Sequence, residues 1–162
     1  MKRLDLIANI AVIITSVVLL GFLGNYWWTS RHANLSPQAR ALTGSTVHLS
    51  GVDFAQREKT LLLVISPTCH FCRASEPFYR QLAQTTGLKT HLVAVVPVPQ
   101  ADAERFVHSS INSSLEVVSA SLDDVHVEAT PTLLLVDAHG KVEKAWVGQL
   151  DDSGQKQVQS QL

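Results

Sequence analysis

Continuous apolar runs alternate with amphipathic stretches along most of this chain. Runs of about five to seven residues that are this rich in valine, leucine and isoleucine are typical of strands buried on both faces of a sheet. They predict strands at Thr60–Ser66, Thr90–Val96 and Thr132–Asp137. Shorter apolar stretches beside turn residues predict three more strands, at Thr46–Leu49, Leu115–Ser119 and Lys141–Val147.

Helical periodicity lies between the predicted strands. The spacing of Phe78, Tyr79 and Leu82 predicts a helix over Phe71–Thr86 that turns these side chains towards the core. Pro77 lies inside this helix and is expected to kink it. Shorter helical segments are predicted at Ala101–Ser109, Leu122–Val127 and, as a marginal helix, Asp151–Leu162. Alternating strands and helices followed by a terminal hairpin predict an α/β domain with a mixed sheet flanked by helices.

The longest apolar run comes near the start of the chain. Leu6–Leu23 carries no charged side chain and is just long enough to cross a bilayer as a helix, which takes roughly 18–20 residues. Aromatic residues follow it at once, as they do at membrane interfaces, and Lys2 and Arg3 precede it. The positive-inside rule therefore places the N-terminus in the cytoplasm and the rest of the chain outside.

A cleaved signal peptide is the alternative interpretation of this run, although no good A-x-A cleavage site follows it. We favour an uncleaved anchor, which divides the chain into a transmembrane signal-anchor (1–29), a polar tether (30–43) and a globular domain (44–162). Both interpretations export the domain. The expected location is the cell inner membrane, as a single-pass protein with a periplasmic C-terminal domain and the lipid bilayer contacted by residues 6–23.

The charge balance excludes one class of partner. The 162 residues hold 13 Lys and Arg against 14 Asp and Glu, with no basic patch, so nucleic acid is not an expected partner. The length suits one compact domain plus an appendage.

Cys69 and Cys72 are the only two cysteines of the chain. They follow a predicted strand and open a predicted helix, whose N-terminus stabilises a thiolate. A zinc site would need four ligands, and neither a second C-x-x-C nor an H-x-x-x-H pair exists. A purely structural disulfide would close too short a loop to remove much chain entropy. The pattern therefore favours thiol–disulfide exchange, without metal or cofactor.

Four segments carry a resemblance to a known family: VHL, LLLVISPTCHFC, Pro77 in the active-site helix, and ATPTLLLVDAHGKV. Together they resemble the thioredoxin fold over about residues 44–150. The closer likeness is to membrane-anchored thioredoxin-like proteins of the TlpA/ResA type, which include reductases of cytochrome c maturation. That type carries an extra strand–helix insertion between the cysteines and the late proline, and Ala101–Ser119 fits it.

The chain departs from this family in four places. Ser66-Pro67-Thr68 replaces the usual aromatic lead-in, and Leu63 stands where plain thioredoxins have a buried acid. Ser75 takes the place of the ResA-type glutamate, with Glu76 one position later. The dipeptide between the cysteines is His-Phe.

The resemblance implies a role for each site residue. Cys69 is the expected nucleophile and Cys72 the resolving thiol. Thr130 and Pro131 are expected to form a cis peptide beside them that binds substrate backbone; the alternative is an ordinary proline at the start of a strand.

Three neighbouring residues are candidate modulators. His70 either lowers the pKa of the Cys69 thiol or points to solvent. Phe71 either contacts a partner or packs on its own loop. Glu76 is a candidate proton acceptor for Cys72, although a solvated surface residue is the favoured alternative.

Two functions of different classes follow. The first is a membrane-tethered, extracytoplasmic thiol–disulfide oxidoreductase, more a reductase than an oxidase. Its expected partners are exported proteins with cysteines, such as apocytochrome c or another maturation client, and a membrane thiol electron donor. The alternative is a non-catalytic adaptor or assembly factor for a membrane or periplasmic complex.

Overall fold

The computed structural model describes residues 15–22, 36–85 and 90–162. The chain divides into two compact units, residues 1–34 and 35–162, and each is described by itself. In the first unit, residues 15–22 are helical and their side chains are exposed, including Val17, Leu20 and Phe22.

Within the described ranges, no helix combines the length and the apolar character that a membrane crossing requires. Much of the predicted span Leu6–Leu23 lies outside these ranges, at residues 6–14 and 23. The transmembrane helix therefore stays a prediction.

In the described residues of the second unit, 36–85 and 90–162, there are five strands and five α-helices. In chain order they are α1 (Pro37–Leu42), β1 (Lys59–Val64), α2 (His70–Ala74), α3 (Glu76–Thr85), β2 (Thr90–Val96), α4 (Gln100–Ser110), β3 (Glu116–Ser119), β4 (Thr132–Asp137), β5 (Val142–Val147) and α5 (Asp152–Gln159). Two short 3₁₀ helices, Phe54–Gln56 and Asp123–Val125, lie in the connections. The predicted α/β class is confirmed.

The sheet has the order β3-β2-β1-β4-β5. β1, β2 and β3 are parallel, whereas β4 runs antiparallel to both β1 and β5. The register of β1 and β4 pairs Val64 with Thr132, so the loop that leaves β1 lies beside the loop that enters β4. This pairing brings Cys69 and Thr130 to the same end of the sheet.

Two hydrophobic layers cover the sheet. Alternate β1 side chains enter opposite layers because successive residues of a strand point to opposite faces. Leu61 and Leu63 pack with Tyr79 and Leu82 of α3 on one face, and Leu62 and Val64 pack with the α1 side on the other. Burial on both faces explains why these strands are continuously apolar.

The predicted helix Phe71–Thr86 is divided into α2 and α3 at Ser75. Pro77 has no N–H to donate to the carbonyl four residues earlier, and its ring crowds that carbonyl. The expected kink is therefore present. The helix–strand unit α4–β3 adds the outermost parallel strand, where the insertion was expected.

Two expectations for the N-terminal part of this unit are corrected. Thr46–Leu49 is not a strand: Thr46 makes only an isolated bridge with Lys141. The predicted tether 30–43 is not all linker, because its last part forms α1 and buries Ala39 and Leu42. Ser36 caps α1 by accepting a hydrogen bond from the Ala39 N–H at 3.1 Å.

Candidate functional site

A tight loop carries the chain from β1 into α2. The Cys69 N–H donates to the Ser66 carbonyl at 3.1 Å, and the Ser66 and Thr68 hydroxyls share a hydrogen bond of 3.1 Å. Arg73 reaches back and donates to the Pro67 carbonyl at 3.1 Å. Cys69 is thereby fixed at the N-cap of α2.

The Cys69 sulfur lies between the two halves of the site. It accepts a hydrogen bond from the Cys72 N–H at 3.1 Å. The neutral thiol donates to the Thr130 carbonyl at 3.3 Å, across 61 positions of sequence. Both cysteines are in the thiol form. One sulfur atom therefore connects the cysteine motif to the loop before β4.

The pKa of Cys69 lies below its ordinary value of 9.0. Partial burial by itself raises it. Hydrogen bonds from the side chains of Cys72 and Thr130, and from the backbone of Cys72 and Phe71, outweigh that effect because they favour the thiolate. Cys69 is half-buried, so its sulfur combines thiolate character with access.

The second thiol has the opposite character. Cys72 is 1 % exposed. Burial, and then the hydrogen bond to Cys69, raise its pKa to about 12. A thiolate is the attacking species in disulfide exchange. The pair is therefore asymmetric: Cys69 is poised to attack and Cys72 is held protonated.

The Thr130–Pro131 peptide bond is cis, in agreement with the resemblance. The Pro131 carbonyl accepts a hydrogen bond from the Gly148 N–H at 2.7 Å, and the Thr132 hydroxyl donates to the Ala129 carbonyl at 2.8 Å. These bonds hold the loop at the mouth of the site. The sequence interpretation left the Thr130 backbone free, whereas in the dithiol form its carbonyl accepts from Cys69.

His70 and Phe71 lie on the outside of the motif. Their rings meet edge to face, with centroids 5.8 Å apart, and Phe71 is 56 % exposed. Among the described residues, the groups that lower the pKa of Cys69 do not include His70. The structure leaves His70 exposed at the surface, which agrees with the interpretation that its side chain points to solvent.

Glu76 is directed to a different partner. Its carboxylate accepts a hydrogen bond from Arg80 at 2.9 Å, and Arg80 also donates to the Ser110 carbonyl at 2.8 Å. Within the described ranges, Glu76 is not among the groups that shift the pKa of Cys72. Its predicted role as a proton acceptor is not supported by this geometry.

Sequence reasoning assigned Tyr79 to the core but missed its link to the site. Tyr79 is 1 % exposed. Burial raises its pKa, and the charges of Cys72 and Cys69 raise it further, whereas a hydrogen bond with the Ser75 side chain opposes the shift. The sequence carried a signal for this link, since Cys72 and Tyr79 are seven positions apart and therefore lie on one face of the single helix predicted over Phe71–Thr86.

No group of three or more His, Cys, Asp and Glu side chains in the described part of the chain could hold a metal ion.

The family model described as "TraF: F plasmid transfer operon protein" matches residues 53–148, more than half of the chain. No curated protein sequence gives a significant match.

Several solved structures resemble this chain. The exposed lipoprotein thioredoxin Etrx1 of Streptococcus pneumoniae is 24% identical, with a TM-score of 0.55, covering 68% of this chain and 88% of its own. StoA of Bacillus subtilis is 22% identical, with a TM-score of 0.52, and the match covers 65% of this chain and 82% of StoA. A putative thiol:disulfide interchange protein DsbE of Chlorobium tepidum is 20% identical, with a TM-score of 0.55, and the match covers 74% of this chain and 91% of that protein. These similarities show that the fold is thioredoxin-like.

Proposed function

This chain belongs to the family of the F plasmid transfer operon protein TraF, and from that premise we propose that it is a thiol–disulfide oxidoreductase acting through Cys69 and Cys72. The asymmetry of the two thiols is the observation that carries the proposal. Cys69 is accessible and has a lowered pKa. Cys72 is buried, protonated and one helical turn away.

The reaction has two exchange steps. The Cys69 thiolate attacks one sulfur of a substrate disulfide, forms a mixed disulfide and expels the other sulfur as a thiolate, which takes a proton from water. Cys72 then gives its proton to water, and its thiolate attacks the Cys69 sulfur. The Cys69–Cys72 disulfide forms, the second substrate thiolate leaves, and two electrons have passed to the substrate.

We assign the reducing direction from the electrostatics of Cys69. A strongly oxidising pair has a reduced form that is strongly stabilised, commonly by a cation beside the thiolate. Among the described residues, hydrogen bonds alone lower the Cys69 pKa, and no charged group contributes. The lack of a neighbouring cation among these groups supports the reducing direction in this proposal.

The proposed setting is the outer side of the inner membrane, with Leu6–Leu23 as an uncleaved anchor. The exposed apolar side chains of residues 15–22 support this setting. The substrates would be exported proteins with cysteines, apocytochrome c or another maturation client among them. A membrane thiol donor would return electrons to the pair.

Insulin reduction tests the activity. We expect the wild-type chain to catalyse reduction of insulin by dithiothreitol, Cys72→Ser to accumulate a mixed disulfide through Cys69, and Cys69→Ser to do neither. A matched exposed variant, Arg105→Ala, should behave as wild type. Titration against glutathione should give a potential more negative than that of glutathione; a more positive value would reverse the direction.

The same experiment separates the enzyme from the adaptor. An adaptor that only keeps the thioredoxin shape would show no turnover and trap no mixed disulfide in Cys72→Ser.

A further inference from the structure

One exposed aromatic side chain lies between the two cysteines. Among the described residues of the second unit, Phe71 is the only large hydrophobic side chain that is exposed. It is 56 % exposed, whereas Cys72, the next residue, is buried. Successive residues of an α-helix lie about 100° apart around its axis, so the burial of Cys72 turns Phe71 away from the core. The apolar ring therefore stays in contact with water, which is unfavourable.

The backbone of Phe71 is tied to the reactive sulfur. Its N–H is one of the donors to Cys69. Its carbonyl accepts hydrogen bonds from the Ser75 hydroxyl at 2.9 Å and from the Ser75 N–H at 3.2 Å. The edge-to-face contact with the His70 ring, at 5.8 Å between centroids, orients the side chain and leaves it exposed. Because these contacts already order the residue, binding of a ligand would cost it little further freedom.

A polypeptide joined to Cys69 would come within reach of this ring. In a disulfide the two Cβ atoms lie about 4 Å apart, and the next residue of the polypeptide begins about 3.8 Å further along its chain. The Thr130 carbonyl approaches the Cys69 sulfur from the loop before β4, at 3.3 Å, whereas Phe71 approaches it from α2. Thr130 offers a polar backbone group, so Phe71 is the apolar contact beside the reacting sulfur.

The chemistry of the ring defines the side chain that it would select. An aliphatic or aromatic side chain laid on Phe71 removes apolar surface of both partners from water. A polar side chain in the same place would lose hydrogen bonds to water and gain none from the ring.

We propose that Phe71 is a specificity-determining residue that contacts an apolar side chain next to the reacting cysteine of a polypeptide substrate. This inference rests on the proposed exchange activity of Cys69. The favoured substrate segments carry leucine, phenylalanine or a similar residue beside the cysteine. Segments with only polar neighbours react more slowly.

The test measures a single exchange step with the full chain, in a Cys72→Ser background. The probes are a short peptide with leucine on both sides of a central cysteine, the same peptide with serine in both places, and a capped cysteine alone. Each cysteine is activated as a thionitrobenzoate disulfide. The Cys69 thiolate attacks the cysteine sulfur, the mixed disulfide forms, and thionitrobenzoate leaves as a thiolate whose absorbance gives the rate.

Phe71→Ala removes the ring from an exposed position, where folding is not at risk. We expect the parent protein to react with the leucine peptide roughly fivefold faster than with the serine peptide, equivalent to about 1 kcal/mol. Phe71→Ala should abolish this preference, and Phe71→Leu should keep most of it. An effect on the acidity of Cys69 would change all three rates alike and cancel in the ratio.

Gln81→Ala is the matched control, since it shortens an exposed side chain of the neighbouring helix α3. It should keep the full preference for leucine. The same preference in Phe71→Ala as in the parent protein, or its loss in Gln81→Ala as well, would overturn the proposal. If Phe71→Ala changes the molecular mass of the protein and not the preference, the ring serves a contact between two copies, which overturns the proposal too.

Failure of the exchange activity would look different. If even the capped cysteine does not react with Cys69, the proposed function itself is wrong.

Discussion

At the residue scale, two cysteines of one short motif have opposite acidities. Their separation in pKa comes from position: Cys69 receives backbone and side-chain hydrogen bonds at the start of α2, whereas Cys72 is buried one turn later. In the proposed reaction, a substrate disulfide would therefore react with Cys69 first, and Cys72 would attack the mixed disulfide afterwards.

Alkylation of the reduced protein should follow this order. We expect iodoacetamide at about pH 7 to label Cys69 first, because a lowered pKa gives more thiolate at neutral pH and Cys72 is buried. Mass spectrometry of peptides would locate the label. In urea the two thiols should react at similar rates, and preferential labelling of Cys72 in the folded protein would reverse the roles.

The raised pKa of Cys72 should make stability depend on alkaline pH. The folded protein keeps this proton up to about pH 12, whereas the unfolded chain loses it near the ordinary value of 9.0. The folded state then binds more protons, so the free energy of unfolding falls as pH rises above about 9.

Urea unfolding under reducing conditions would measure this effect. Between about pH 8 and about pH 10, the midpoint should fall more for the wild type than for Cys72→Ala, which lacks the group. Tyr79, whose pKa is also raised by burial, is present in both proteins, so it lowers the urea midpoint of both as pH rises. Equal changes in the two proteins would contradict the assigned pKa.

At the element scale, α1 is part of the domain although it has only 6 residues. Its own helix propensity is weak at this length, so burial of Ala39 and Leu42 against the sheet must hold it. The Ser36 cap and Pro37 at the first turn set where it begins.

Leu42→Ala should destabilise the domain by about 2–5 kcal/mol, because it removes a buried side chain and leaves a cavity. Arg40→Ala, an exposed position on the same helix, should stay within about 0.5 kcal/mol of wild type. Chemical denaturation of the two variants would measure the difference. If the Leu42→Ala protein is as stable as Arg40→Ala, α1 does not contribute to the stability of the domain and belongs to the tether.

At the scale of the whole molecule, the chain combines a thioredoxin-like unit with a separate N-terminal unit. The described part of the N-terminal unit is helical and exposes Val17, Val18, Leu19, Leu20 and Phe22. The hydrocarbon core of a bilayer would remove these apolar side chains from water, as the proposed anchor requires.

Val17→Arg tests the anchor in the full chain. A charge near the centre of a spanning helix costs about 2.5–3.5 kcal/mol on insertion scales. We therefore expect carbonate to extract the variant from membranes, whereas wild type and Val17→Leu stay in the membrane fraction. A wild-type N-terminus that begins beyond Leu23 would show that the segment is a cleaved signal instead.

Local sequence was sufficient for most elements of this protein. The apolar runs located β1, β2 and β4 because strands buried on both faces need apolar residues at every position. Pro77 located the break between α2 and α3, and the cysteine spacing located the motif. The sequence did not predict α1, because a helix of about one and a half turns has too few residues to show a helical periodicity of apolar positions. Ser36-Pro37 is nevertheless a signal for the start of a helix.

Only the tertiary structure decided the chemistry of the site. The contact between Cys69 and Thr130 depends on the pairing of β1 with β4, which joins residues 61 positions apart. The acidity of each thiol depends on burial and on donors from several segments. Local sequence determines which strands and helices can form, but burial and long-range hydrogen bonds exist only after those elements have packed together.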